Sequence, residues 1–303
     1  MISVIICSVD PSRLAKVGDN IEKTIGVPYE LISVDNSSGR YGLCAAYNQG
    51  GRQAKYPLLC FMHEDIAFET RDWGRLVNRH FEEPEVGLLG VAGGDARALV
   101  PCSWSVPIGC KQINLIQHYK YLKGISEHVL ETDPSGYADK KRVVALDGVW
   151  LCTRKEIFDR IKFDDSTFPG FHGYDIDYSL QVSREFGVYV VFDILIHHYS
   201  EGRPDRSWLK SAMRLSNKWK KQLPVSVIPQ TREVYSLHHW RSMRVFLQRL
   251  SDLDYNYFQI LWWLVYYSCN RYFSVRRFGS MAKFTLINLL DKRRERATTP
   301  SIS

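Results

Sequence analysis

At 303 residues, 45% hydrophobic and 24% charged, the chain has an ordinary globular composition, which excludes the disordered, collagenous and disulfide-rich classes. That length fits one large α/β domain or a domain with an appendage, since single cores stop growing at about 250–300 residues. The formal net charge is +7, and Arg271, Arg276, Arg277, Lys283, Lys292, Arg293, Arg294 and Arg296 crowd the last stretch, so that end expects an anionic partner, a membrane surface or a nucleic acid.

The chain opens on ISVIIC and YELISVD, two short β-branched runs, with Leu14, Val17, Ile21 and Ile25 at helical spacing between them. Asp10 as N-cap, Pro11 at the first helical position and Gly26 past the last turn frame that helix and predict a βαβ unit. Met1 leads into the first strand with no basic or cleavage-site pattern, so no secretory signal is expected. A helix through LCAAYNQGGRQA follows, then a strand PLLCFM ending in His63-Glu64-Asp65, a helix near Trp73 to Phe81 and a strand VGLLGVAG. Strands alternating with helices predict a mostly parallel α/β sheet with ligands at the carboxyl ends of its strands.

From about Asp95 to Arg142 the periodicity is lost among Pro101, Pro107, Gly109, Gly124, Pro134 and Gly136, which predicts long loops with one helix near Ile113 to Leu122. Order resumes with VVALDGVWLCTRKEIFDRI as strand and helix, the turn FPGFHGYD, an amphipathic YDIDYSLQVSREF and a buried strand VYVVFDILI running into His197-His198. The expected division is a catalytic domain over 1–204 and a helical C-terminal region over 205–303. Seven cysteines, Cys7, Cys44, Cys60, Cys102, Cys110, Cys152 and Cys269, are odd in number and lack CxxC spacing. They read as buried small hydrophobes in a reducing compartment, which places the chain in the cytoplasm.

Four groups of residues carry potential chemistry. Asp35 and Asn36 end the second strand, where a carboxylate can meet a base or ribose hydroxyl or simply cap the turn. Glu64 and Asp65, with His63, end an apolar strand, where a carboxylate can hold Mn²⁺ or Mg²⁺ against a diphosphate or merely start a solvated loop. Asp175 and Asp177 open a helix, and two residues apart they do not share a face, so one of them is a candidate general base and a cap is the alternative. His197 and His198 end the last strand, where an imidazole can ligate Mn²⁺ or touch phosphate.

Taken in order, VDN, YNQG, FMHEDIAF, ALDGVWLCTRKEIF, FHGYDIDYSLQ and LIHHYSEG resemble the motif series of family 2 glycosyltransferases, in the bacterial branch whose acidic motif begins with histidine. The likeness covers about residues 1 to 202. It implies the nucleotide-diphospho-sugar (GT-A) fold and an inverting transfer from a nucleoside-diphosphate sugar, UDP-linked, to a glycan or lipid-linked acceptor. By position Asp35 and Asn36 read the nucleotide base, Asn48 lies near its pocket, and His63 and Glu64 fall on the donor nucleotide. Asp65 matches the last aspartate of the family's DxD motif and is the implied metal ligand, with His197 as the family's late histidine and His198 as its fallback. Asp147, Gly148 and Trp150 match the segment beneath the sugar, Asp175 inherits the catalytic base and Asp177 supports the substrate loop. His63 stands where the family has an acid, which keeps a non-catalytic nucleotide- or glycan-binding relative as the alternative.

The rival enzymes fit less well. A pyrophosphorylase lacks its glycine-rich first loop here, and no GxGxxG follows a strand as an oxidoreductase needs. A glycosidase needs two carboxylates facing one bond, and no nucleic-acid module is visible. Near the C-terminus, YNYFQILWWLVYYSCNRYF is too short to span a bilayer but, with its arginines, suits the membrane interface, against the alternative of packing on the catalytic domain or a second subunit of a homodimer.

Overall fold

The computed structural model describes residues 1–107, 111–119, 125–132, 139–200, 202 and 204–298, with the side chains of those up to 290. In chain order, β1 (Ile2–Ser8), α1 (Pro11–Thr24), β2 (Tyr29–Asp35), α2 (Leu43–Gln53) and β3 (Leu58–Met62) form two successive βα repeats and the strand that closes them. Asp10 caps α1 by accepting from the Ser12 and Arg13 amides, and Gly26 after it takes a φ of 68°, the left-handed turn that its sequence position predicts. Then come β4 (Ile66–Phe68), α3 (Trp73–His80), β5 (Val86–Gly90), β6 (Ala92–Gly94) and β7 (Ala96–Arg97). The middle of the chain holds β8 (Lys111–His118), β9 (Ser126–Glu131), β10 (Lys140–Val143), β11 (Ala145–Leu146) and β12 (Trp150–Arg154). After α4 (Lys155–Arg160) and α5 (Tyr174–Val182) follow β13 (Gly187–Val191) and β14 (Ile196–His198). The rest is α6 (Arg206–Lys218), β15 (Val225–Ser226), α7 (Arg232–Asp252), α8 (Tyr257–Ser268) and α9 (Val275–Thr298).

The central sheet has the order β10-β13-β5-β12-β3-β1-β2. Strands β1, β2, β3, β5 and β13 run one way, while β12 and β10 run against them. The sheet is thus mostly parallel, as expected, and its middle strands β3 and β5 are buried at every residue because helices cover both faces. A second sheet, β11-β6-β8-β14-β4 with β9 beside β8, packs at its carboxyl edge.

This second sheet corrects the reading of the middle segment. The residues expected as a helix near Ile113 instead form β8, with Ile113 and Leu115 buried two apart on one face. Pairing with β6, β9 and β14 outweighs the weak helical spacing, and Lys120 to Leu122 lie outside the described residues. The expected long loops therefore hold β7 to β10, with Gly109, Gly124, Pro134 and Gly136 also outside the described residues.

The cysteine reading is corrected as well. Cys60 and Cys152 face each other in the antiparallel register of β3 and β12 and form a disulfide. Cys7, Cys44, Cys102 and Cys269 are free thiols, and Cys110 lies outside the described residues. With one buried pair oxidised, cysteine usage no longer argues for a reducing compartment.

The C-terminal helices build a further core of Trp240, Met243, Phe246, Leu250, Ile260 and Leu264. Helix α6 shares both cores, since Leu209 packs here while Leu215 and Trp219 pack under the central sheet with Tyr178. No helix among the described residues is long and apolar enough to cross a membrane.

Candidate active site and metal centre

A cavity of about 840 Å³ opens over the carboxyl ends of β1, β3 and β14, where the α/β arrangement leaves its crevice. Its walls come from distant segments, among them Asn36, Arg40 and Tyr41, His63 to Asp65, Asp147 and Gly148, Gly170 to Ile176, His198, and Trp208 and Arg249 from the C-terminal helices.

His63, Asp65 and His198 bring one donor atom each to within 4.8 Å of the others. Neighbouring hydrogen bonds fix the tautomers. The Tyr174 hydroxyl donates to the Gly148 carbonyl at 2.9 Å, so it accepts from His63 Nε2 at 2.9 Å and leaves Nδ1 as a lone pair, 3.8 Å from Asp65 Oδ1. The Gln117 amide nitrogen donates to the Ser200 carbonyl at 2.9 Å, which turns its oxygen to accept from His198 Nδ1 at 3.1 Å and leaves Nε2 as a lone pair, 3.3 Å from Ser200 Oγ. Each imidazole thus donates one N–H outward and presents the other nitrogen inward, the arrangement that ligating histidines have. Burial alone would raise the Asp65 carboxyl, but His63, Ser200 and His198 outweigh it and hold it below its ordinary value, so it stays ionised. Two imidazoles and one carboxylate are a donor set that could hold a divalent cation. Removing the outward partner should loosen this set: Tyr174→Phe is expected to weaken Mn²⁺ binding roughly 10–100-fold by calorimetry, and native affinity in that variant would deny the hydroxyl its orienting part.

The doublet resolves by strand alternation. On β14 successive side chains point to opposite faces, so His198 enters the cavity and His197 turns away. His197 donates from Nε2 to Glu69 at 3.0 Å and accepts at Nδ1 from His118 at 2.9 Å. Of the two histidines expected to ligate a metal, His198 joins His63 and Asp65 in the candidate donor set and His197 stands outside it.

The acidic pair beside this candidate donor set is Asp147 and Asp175. Gly173, at φ 90°, turns the chain into α5, and Asp175 in its first turn accepts from the Gly148 amide at 3.1 Å. Burial, and then the neighbouring Asp147 carboxylate, raise the Asp175 pKa to about 7. A carboxyl poised near neutrality is suited to take and release a proton. Only glycine fits at 148, because an added Cβ would lie 1.9 Å from the Tyr174 hydroxyl.

On the opposite wall, Asn36 braces its own turn, donating to the Tyr41 carbonyl at 2.9 Å and accepting from the Tyr41 amide at 2.8 Å. Glu64 accepts from Ser8 Oγ at 2.7 Å and from the Val9 and Asp10 amides, tying the end of β1 to that of β3 at the cavity edge.

Four other expected site residues lie away from the cavity. Asp35 is exposed and closes a turn on the Ser37 amide at 2.9 Å. Asn48 is buried and pairs with the Phe163 backbone in both directions, at 2.8 and 3.1 Å. Trp150 sits in the core against Trp73 and Phe68. Asp177, two residues and about 200° round α5 from Asp175, is buried against Lys218 and Trp219 instead of the cavity.

Sequence reasoning missed Gln117, hidden in the segment expected as a helix, and Trp208 and Arg249, which belong to the region set apart from the catalytic domain. It also missed Arg97, buried and donating to the Cys102 and Ser103 carbonyls, which holds the loop carrying Trp104 against the cavity. An arginine inside the small-residue run AGGDARA was the available signal.

The family model described as "Glycosyltransferase like family" matches residues 3–240. No curated protein matches the sequence at a significant level. Among solved structures, GalNAc-T7 with UDP, GalNAc and Mn²⁺ is similar at a TM-score of 0.51 and 12% identity, over 94% of this chain and 57% of that one. This chain therefore spans little more than half the length of that relative. TarS of S. aureus, residues 1–349 in complex with UDP-GlcNAc, is similar at a TM-score of 0.50 and 10% identity, over 99% of this chain and 93% of that one. At those identities the likeness is one of fold.

Proposed function

Because the chain belongs to the glycosyltransferase-like family, we propose that it moves a sugar from a nucleoside diphosphate to a hydroxyl of a glycan or lipid-linked acceptor, with inversion. The observation that carries this reading is the one cavity in which two neutral imidazoles and an ionised carboxylate stand beside a carboxyl poised near pH 7. A divalent cation held by His63, Asp65 and His198 would supply positive charge against the diphosphate. The braced turn from Asn36 to Tyr41, with Arg40 over the Tyr41 ring, offers the wall for the nucleoside. Asp175, held by the Gly148 amide, takes the proton from the acceptor hydroxyl as that oxygen attacks the anomeric carbon. Direct displacement with one base inverts that centre. Burial, and then Asp147 beside it, keep the base weakly acidic, so that it is neither permanently ionised nor permanently blocked at neutral pH.

The position of His63 in place of an acid then has a use, as the second imidazole of the donor set. UDP is the nucleotide to test first, since both similar solved structures hold it or its sugar conjugate. Titration with UDP is expected to give binding that needs Mn²⁺, and UDP-sugar should be consumed slowly by the protein alone. No UDP binding with or without the metal would transfer the cavity to the non-catalytic reading.

A further inference from the structure

Helix α8 is apolar on both faces, yet only one is covered. Ile260, Leu264 and Tyr267 pack inward against α7, while Phe258, Trp262, Val265 and Tyr266 form an outward stripe at i, i+4, i+7 and i+8. Phe258 is 79% exposed and Trp262 55%. The stripe continues into the next turn and the start of α9, where Phe273 and Val275 are exposed between the exposed Arg271 and Arg276. Lys220, in the turn after α6, lines a groove of about 460 Å³ together with Trp262 and Tyr266, so a cation stands at the edge of the stripe as well.

Charge decides what covers such a face. Between Tyr255 and Leu290 the sequence has four basic residues and no acidic one. A two-fold dimer would set this patch against its own copy, bringing like charges together. An anionic lipid surface complements it, and Trp, Tyr and Phe rings favour headgroup depth. The 12-residue α8 is roughly 18 Å long at about 1.5 Å per residue, too short for the ~30 Å hydrocarbon core, so it would lie in the interface plane.

We infer that the Phe258–Trp262–Tyr266 face of α8, with Arg271 and Arg276, is a docking surface for anionic phospholipid membranes. This holds independently of the transfer reading.

The test is co-sedimentation of the full chain with vesicles of phosphatidylcholine alone and of phosphatidylcholine mixed with phosphatidylglycerol. The chain is expected to sediment with the mixed vesicles and to be released by salt. Phe258→Ala with Trp262→Ala, and separately Arg271→Gln with Arg276→Gln, should each weaken that partition roughly tenfold or more. All four residues are exposed, and retained UDP binding in both variants verifies that the cavity is intact. Sedimentation indifferent to phosphatidylglycerol overturns the proposal. So does a native dimer by light scattering that the Phe258/Trp262 variant splits, which would assign the face to a second copy. Failure of native UDP binding would count against the transfer reading and leave this one standing.

Discussion

Asp175→Asn is expected to bind UDP with Mn²⁺ as the native chain does and to turn over roughly 10²–10⁴-fold more slowly, the usual size of a general-base effect. The amide keeps the contact with the Gly148 N–H, now through its oxygen, so the floor of the cavity holds its shape. What goes is the ability to accept a proton. Near-native turnover would remove Asp175 from the role of base.

The same residue sets a pH dependence. A base works in its ionised form, so kcat/KM should climb with pH through about 7 and level off above, and this limb should vanish from the residual activity of the variant. Stability should move the other way. Folding raises the pKa of this acid, so its protonated form is favoured in the folded chain. That contribution is present below the ordinary aspartate value and is lost as pH rises through about 7. Asparagine imitates the protonated form at every pH. Melting temperatures of native and variant should therefore coincide near pH 4 and separate towards pH 8, with the variant the more stable. Each tenfold in proton affinity is worth about 1.4 kcal/mol, which puts the gap at a few kcal/mol before water in the open cavity reduces it.

Much of this site follows from one rule applied to sequence: in a mostly parallel sheet the residues after each strand meet at one edge. Asp147 and Gly148 come from the family resemblance and Asp175 from its helix start, while that rule brings His63 to Asp65 and the His197-His198 doublet to one edge without any knowledge of register. Register is what it lacks. On a three-residue strand the doublet His197-His198 offers no phase, and only the pairing with β4 and β8 decides which imidazole turns inward. Asn48 and Trp150 fail for another reason: a polar side chain fixing a backbone and an aromatic filling a core have the same local sequence as ligand contacts. Cys60 and Cys152 lie 92 residues apart and meet only because β12 inserts antiparallel beside β3. No local pattern announces such an insertion, nor the hydroxyl and amide of Tyr174 and Gln117 that orient the two histidines.

Asp177→Ala should cost about 1–3 kcal/mol of stability, the penalty for leaving a buried donor without its acceptor. The Asp177 side chain is 1% exposed. It accepts from Lys218 Nζ at 2.7 Å, from Trp219 Nε1 at 2.8 Å and from Gln181 Nε2 at 2.8 Å. Truncation leaves the buried indole N–H without an acceptor and Lys218 with Asp164 alone, at 2.7 Å. Denaturant unfolding should show the loss as a lower midpoint at an unchanged slope. Asp177→Asn, which retains an oxygen for Trp219 but no charge for Lys218, should fall between. Since the clamp ties α5 to the end of α6, it also fixes Asp175 at one end of the cavity floor and Leu215 in its wall. The two aspartates thus separate by experiment: the variant at 175 loses turnover while gaining stability at high pH, and the variant at 177 loses stability first and turnover as a consequence. An Asp177→Ala protein as stable as the native chain would mean that α5 is held by its apolar face alone.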